Sequence, residues 1–246
     1  MIVRMLDENS GERIAVYDTD ELYGERGAFR VLQFADDAVQ GAMDLRRPER
    51  IVLEYPEAML HLMERHIPAF EDVFVIGHGI GTLPGRLKQK RCVVADIDRR
   101  VVQASRDWFA YDGPEPRIGD GRELLERELS DAYDFVVVDA FTSKGTPERL
   151  TTFEWFETVR EKLQPNGAVL LNLAGRSVSD PFLHAVRSTL GAVFPHTIAF
   201  ALPGATARTN VLLAAGAKPF GYAVRQMRGF REVEWPDGFL LRDRGS

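Results

Sequence analysis

The sequence predicts an α/β protein: a doubly wound open sheet preceded by a small antiparallel β unit. Three observations predict it. First, four apolar runs without polar alternation occur at 73–76, 92–95, 135–138 and 168–171, ending at Gly77, Asp96, Asp139 and Asn172. Such runs imply burial on both faces, hence a parallel sheet between helices. Second, the segments between them carry helical spacing, and alternating β and α elements make a doubly wound sheet. Third, residues 1–50 have a different texture, with short β-branched stretches around 14–17 and 29–34 closed by Asp18-Thr19-Asp20 and Ala35-Asp36-Asp37. Strands bounded by such turn residues form hairpins. The chain is accordingly divided into a β unit over 1–50 and a larger α/β unit over 51–246.

Taken in order, residues 99–109 place Val101, Val102, Ser105, Trp108 and Phe109 on one helix face, with Asp98 as N-cap. Residues 121–129 follow with Leu124, Leu125 and Leu129. Residues 152–163 carry Phe153, Trp155, Phe156, Val159 and Leu163 and stop at Pro165-Asn166-Gly167. Thr151 or Thr152 caps this helix. Val211-Leu212-Leu213 reads as a further buried strand, and the tail beyond it has no assigned place.

Composition narrows the function. The 246 residues are 45% hydrophobic and 28% charged, which is globular rather than disordered. With 31 basic and 37 acidic residues the net charge is −6, so a broad cationic surface for nucleic acid is not expected. No apolar run reaches the ~18 residues of a membrane span, and a cytoplasmic location is expected. A single cysteine, Cys92, rules out an intramolecular disulfide and argues against a cysteine-based zinc site. It sits in an apolar strand and reads as an inert thiol. His61 and His66 have no second pair of ligands, so no metal is expected.

Ligands of open α/β sheets bind beyond the carboxyl ends of the strands. After the first run comes Gly77-His78-Gly79-Ile80-Gly81, whose glycines allow a sharp turn and close backbone approach to a ligand. Thr82 and Pro84 follow, which disfavours a dinucleotide-type phosphate loop. Asp96 lies 15 residues past Gly81 at the next strand end, where a carboxylate can accept both hydroxyl hydrogens of a ribose. Asp120, in Ile118-Gly119-Asp120-Gly121, is either an N-cap or an acceptor for an adenine amino group. Asp139 ends an apolar strand in the sheet centre, where a carboxylate loses hydration unless something uses it. It is either a structural acid for the following loop or the reactive one.

In this order and spacing the motifs resemble the spermidine synthase (polyamine aminopropyltransferase) family. Val16-Tyr17-Asp18-Thr19 is similar to its strand-and-turn segment. Asp37-Ala38-Val39-Gln40 is similar to its loop with a ligand-contacting glutamine, and 55–60 (Tyr-Pro-Glu-Ala-Met-Leu) to its Tyr-His-Glu-Met-Leu helix start. Gly77 to Gly81, Asp96-Ile97-Asp98, 118–122 and 133–139 match its glycine loop, ribose site, adenine segment and catalytic strand. The resemblance implies a Rossmann-like fold of the class I methyltransferase type. It implies transfer of an aminopropyl group from decarboxylated S-adenosylmethionine to a small-molecule amine, with release of methylthioadenosine. It assigns Asp139 as catalytic residue, Tyr55 to the substrate, and Gln40, Gly77, Gly79, Gly81, Asp96, Ile97, Asp120 and Gly121 to the nucleoside. It also implies a homodimer and no metal.

The departures fall on the cationic tails. The family's glycine-loop acid is Ile80, the second acid of its Asp-Ser-x-Asp-Pro gate is Thr142, the helix-start His is Pro56, and its Pro-Thr-Tyr-Pro-Ser-Gly stretch is 203–208, without tyrosine. Each missing charge-assisted contact costs about 1.5–3 kcal/mol, for which Glu57 or Asp37 are candidate replacements. Two alternatives follow: a methyltransferase using S-adenosylmethionine, with His78 or Thr82 donating to its carboxylate, and a non-catalytic nucleoside-binding relative. Moving a proton from an amine near 10.4 to an ordinary Asp near 3.9 costs roughly 9 kcal/mol. For aminopropyl transfer Asp139 is therefore expected to orient the amine, stabilise charge and pass the proton onward, with its pKa raised by burial, rather than to act as a strong base.

Overall fold

A computed structural model describes residues 2–7, 13–34, 39–142, 145–176, 180–204 and 209–244. The first four strands, β1 (Ile2–Asp7), β2 (Ile14–Leu22), β3 (Glu25–Phe34) and β4 (Val39–Asp44), form an antiparallel sheet in chain order. Ile14, Val16 and Leu32 face inward from it and meet Val101, Ala104 and Phe109 of the helical layer.

The chain then alternates: α1 (Glu54–His66), β5 (Asp72–Ile76), α2 (Thr82–Arg86), β6 (Arg91–Asp96), α3 (Arg99–Phe109), β7 (Arg117–Ile118), α4 (Gly121–Glu126), β8 (Tyr133–Val138), α5 (Phe153–Lys162), β9 (Leu163–Gly175), α6 (Pro181–Val193), β10 (His196–Ala201), β11 (Thr209–Gly216) and β12 (Arg231–Glu232). The eight strands lie in the order β12-β10-β11-β9-β8-β5-β6-β7. From β5 the chain winds outward through β6 and β7, then crosses back to place β8 on the other side of β5. The carboxyl ends of β5 and β8 are therefore the switch point where an open sheet leaves a crevice.

β7, β6, β5, β8 and β9 pair in parallel; β11 runs antiparallel to both its neighbours, β9 and β10, so β10 points the same way as β9. The parallel sheet expected from the apolar runs is thus mixed at one side. The reason is that burial does not encode direction. Val211 and Leu213 join the core on the α5–α6 face, while Leu212 and Ala214 join the α1 face, as they would in a parallel strand. Trp155 and Phe156 are fully buried, as their spacing predicts.

Two helix ends differ from expectation. α4 stops at Glu126 and leaves Leu129 exposed. α5 gives way to β9 at Leu163, so Pro165-Asn166-Gly167 lies inside the strand. Thr152 is the cap, its Oγ1 accepting from Trp155 N. The tail has a definite place. Gly238 N donates to Ser188 Oγ (2.8 Å), Phe153 N to Leu241 O (2.8 Å), and Asp243 takes Arg122 Nη2 at 2.6 Å and Thr152 Oγ1 at 2.8 Å. Arg122 is therefore turned inward.

Candidate active site

Beyond the switch point lies a chamber of about 230 Å³, floored by Gly77, Asp139 and Asn172 and roofed by Phe34, Val39 and Gln40 of the small sheet. The crossing brings β5 and β8 so close that a Cβ on Gly77 (φ 99°) would overlap the Asp139 carbonyl oxygen. The backbone locks this: Asp139 N donates to Ile76 O and Gly77 N to Ala95 O, each at 2.8 Å. Gly79 lies beside the Gln40 carbonyl and takes a left-handed φ of 54°, which favours glycine.

Asp139 is gripped from two elements. Tyr55 Oη on α1 donates to its Oδ2 at 3.0 Å, and Asn172 Nδ2 on β9 donates to its Oδ1 at 2.8 Å. Burial pushes its pKa up to about 7, although both hydrogen bonds pull the other way. The Tyr55 phenol is raised well above its usual value by burial and by the Asp139 charge. Tyr55, expected on the substrate, thus first touches the central carboxylate. Asn172 is a partner that motif spacing did not single out, beyond its position at a strand end.

Asp96 Oδ2 accepts from His78 N and Oδ1 from Asp98 N, both at 2.8 Å. These amides tie the glycine loop to β6 and leave lone-pair capacity for a hydroxyl. Burial raises the Asp96 pKa to about 6. Ile97 stands beside it, largely exposed at the chamber rim. Asp98 caps α3, accepting from Arg100 N. Asp120 caps α4, its Oδ1 accepting from Arg122 N and Glu123 N, while its Oδ2 takes Arg149 Nη1 and the residue lines the chamber. Gly121 also lines the chamber and presses on Ile76.

Of the predicted site residues, Gln40, Tyr55, Gly77, Gly79, Asp96, Ile97, Asp120, Gly121 and Asp139 surround this one chamber. Gly81 does not. It takes a left-handed φ of 83° at the start of α2 and abuts the Tyr111 ring, on the side of a second cavity. Its contribution is to the loop's shape.

His78 is turned away from the chamber's centre. Ser105 Oγ donates to Val102 O, so the 2.7 Å contact between Ser105 Oγ and His78 Nε2 makes Nε2 the donor. Burial lowers the His78 pKa to about 4, so the ring is neutral. Ile80 is packed with Ile14, Val16, Leu32 and Val101. Thr142 Oγ1 donates to Gly145 O within its own turn (3.0 Å). Glu57, a candidate replacement acid, pairs with Arg228 at 3.0 Å; Asp37 and residues 205–208 lie outside the described residues.

Among the described residues no group of three or more His, Cys, Asp or Glu gathers to hold a metal. His61 Nε2 accepts from Ala223 N and His66 stacks on Phe220. No helix among the described residues is long and apolar enough to cross a membrane.

Sheet order and switch-point chamber together define a Rossmann-like α/β protein of the type shared by spermidine synthases and methyltransferases. The spermidine synthase structure from Corynebacterium glutamicum, described as probable, superposes with a TM-score of 0.74 at 21% identity, covering 90% of this chain and 82% of that one. A spermidine synthase in complex with the transition-state analogue AdoDATO gives 0.67 at 18% identity, covering 96% and 82%. The Spermine/spermidine synthase domain matches residues 52–216, and the chain belongs to that family. Among curated relatives, polyamine aminopropyltransferase 2 of Pseudomonas aeruginosa is 32% identical over 203 residues, covering 76% of this chain and 56% of the relative. Polyamine aminopropyltransferase 2 of Hyperthermus butylicus is 31% identical over 156 residues, covering 57% and 50%. The chain thus matches about half the length of these relatives.

Proposed function

We propose that the protein transfers an aminopropyl group from decarboxylated S-adenosylmethionine to a small amine. The observation that carries the proposal is Asp139, held between Tyr55 and Asn172 at the chamber floor with its pKa raised to about 7. A neutral amine nitrogen attacks the methylene beside the sulfonium. The new C–N bond forms as the C–S bond breaks, its electron pair going to sulfur, and methylthioadenosine leaves. Asp139 orients the amine and takes its proton. With the amine near 10.4 and Asp139 near 7, that transfer costs about 5 kcal/mol instead of about 9. Tyr55 and Asn172 act as positioning residues, since each donates one hydrogen to a separate carboxylate oxygen. Asp96 would accept the ribose hydroxyls, Asp120 the adenine amino group, and Ile97 would cover the base. Gln40 is assigned to the donor from above the glycine loop.

Calorimetry with methylthioadenosine and both carboxylated and decarboxylated sulfoniums, followed by a search for methylthioadenosine as product, tests this. Binding of a thioadenosine and release of methylthioadenosine from an amine mixture are expected; absence of both rejects the reading. One observation favours methyl transfer from S-adenosylmethionine as the second reading: the position of the family's glycine-loop acid is Ile80, inside an apolar cluster. An aminopropyl ammonium finds no counter-charge there, whereas a carboxylated tail meets no repulsion. Preference for the carboxylated sulfonium would select it. The same proposal includes a homodimer, a cytoplasmic location and the division at residue 50, checked by sedimentation, fractionation and limited proteolysis.

A further inference from the structure

Among the described residues, Arg149 is the single arginine or lysine on the chamber wall. It lies in the turn Glu148–Leu150, after the loop that follows Asp139. Its Nη1 donates to Asp120 Oδ2, the oxygen that Asp120 does not use for capping α4. Its backbone is anchored from behind: Arg122 Nη1 donates to Arg149 O at 3.0 Å, and Arg122 is itself held by Asp243 of the tail at 2.6 Å. The main chain is therefore fixed while the side chain is about half exposed (48%) toward the chamber. A guanidinium has five N–H donors, and the Asp120 bond occupies one.

We propose that Arg149 is a specificity-determining residue that, with Asp120, reads the edge of a 6-aminopurine. This rests on the nucleoside reading of the chamber. The amino group of such a base is a donor flanked on each side by a ring nitrogen, an acceptor. Asp120 Oδ2 supplies the acceptor for the amino group. Arg149, bonded to that oxygen, supplies a donor one hydrogen-bond length away, matching one of the two ring nitrogens. The pair presents acceptor and donor side by side, as the base edge requires, and the ion pair holds the two side chains next to each other. Neither charge alone supplies both halves of that pattern.

The test uses Arg149→Met, which keeps the aliphatic stem and removes every donor. Calorimetry would compare methylthioadenosine with its 7-deaza and 1-deaza analogues, in which one ring nitrogen at a time becomes C–H. In the variant, methylthioadenosine should bind about tenfold more weakly. The deaza analogue lacking the contacted nitrogen should bind wild type and variant equally, and the other should still show the tenfold loss. A loss of equal size for all three ligands, or no loss for any, overturns the proposal. Asp96→Ala separates it from the underlying reading: it should weaken all three equally, through the ribose. A wild-type protein that binds no thioadenosine removes the nucleoside reading and Arg149's role together. Arg149→Lys, which keeps a charge but not the fork, should recover only part of the loss, and an unchanged thermal unfolding curve would confirm intact variants.

Discussion

Replacing Asp139 by Asn should make the protein more stable at alkaline pH while removing turnover. In the native state the Asp139 pKa is raised from 3.8 to about 7 by burial. Between those values the folded chain holds a proton that the unfolded chain has released, so stability falls by about 1.36 kcal/mol per pH unit across the window. Integrated from pH 5 to pH 8, this one group removes about 2.5 kcal/mol of stability. Asp139 opens onto the chamber, and water there screens part of the charge, so the figure is a ceiling. Asn has no such proton to lose. Its amide is also easily accommodated, because Asn172 Oδ1 is buried without a partner among the described residues and can turn to accept from it. Asp96, raised to about 6, adds a slope of the same sign in both proteins and cancels in the difference. Urea unfolding of both proteins at pH 5, 6, 7 and 8 measures the effect. The wild type should lose stability relative to the variant as pH rises, and product formation by the variant should fall about a hundredfold or more. Parallel stability curves would show that Asp139 carries no raised pKa, and unimpaired turnover would show that it is not the reactive carboxylate.

Three further outcomes are expected. Asp96→Ala should weaken methylthioadenosine about tenfold to a hundredfold by calorimetry, the loss of one charge-assisted bond of about 1.5–3 kcal/mol. Gly77→Ala should cost about 3 kcal/mol or more in urea unfolding, because its φ of 99° and its contact with the Asp139 carbonyl both reject a Cβ; an unperturbed midpoint would mean that β5 and β8 do not approach so closely. Cys92, whose thiol is pushed up to about 12 by burial, should resist alkylation at pH 8 in the native protein and react once unfolded. Fast native labelling would contradict the raised thiol pKa of this partly buried residue.

Much of the fold was legible because apolar runs and turn residues are local signals. The runs ending at Gly77, Asp96, Asp139 and Asn172 are strands of one sheet, and Asp98 and Thr152 cap helices as their positions foretell. Direction was not legible for β11, since a hydrophobic side chain is equally buried whichever way its strand runs. The tail was not legible either. Its place depends on Gly238, Leu241 and Asp243 meeting Ser188, Thr189 and Arg122, partners from 50 to 121 positions away in the chain.

The sequence by itself determined which residue types stand at the strand ends, and so that three carboxylates, Asp96, Asp120 and Asp139, gather at one edge of the sheet. Only the tertiary structure decided what each carboxylate does there. The β5–β8 crossing sets Gly77 against Asp139, Tyr55 and Asn172 arrive from α1 and β9, and Arg149 reaches Asp120 from the turn after β8. Hydrogen-bond partners and desolvation come from residues distant in the chain. A carboxylate's pKa and reach are therefore properties of the folded site, while its position at a strand end is written locally.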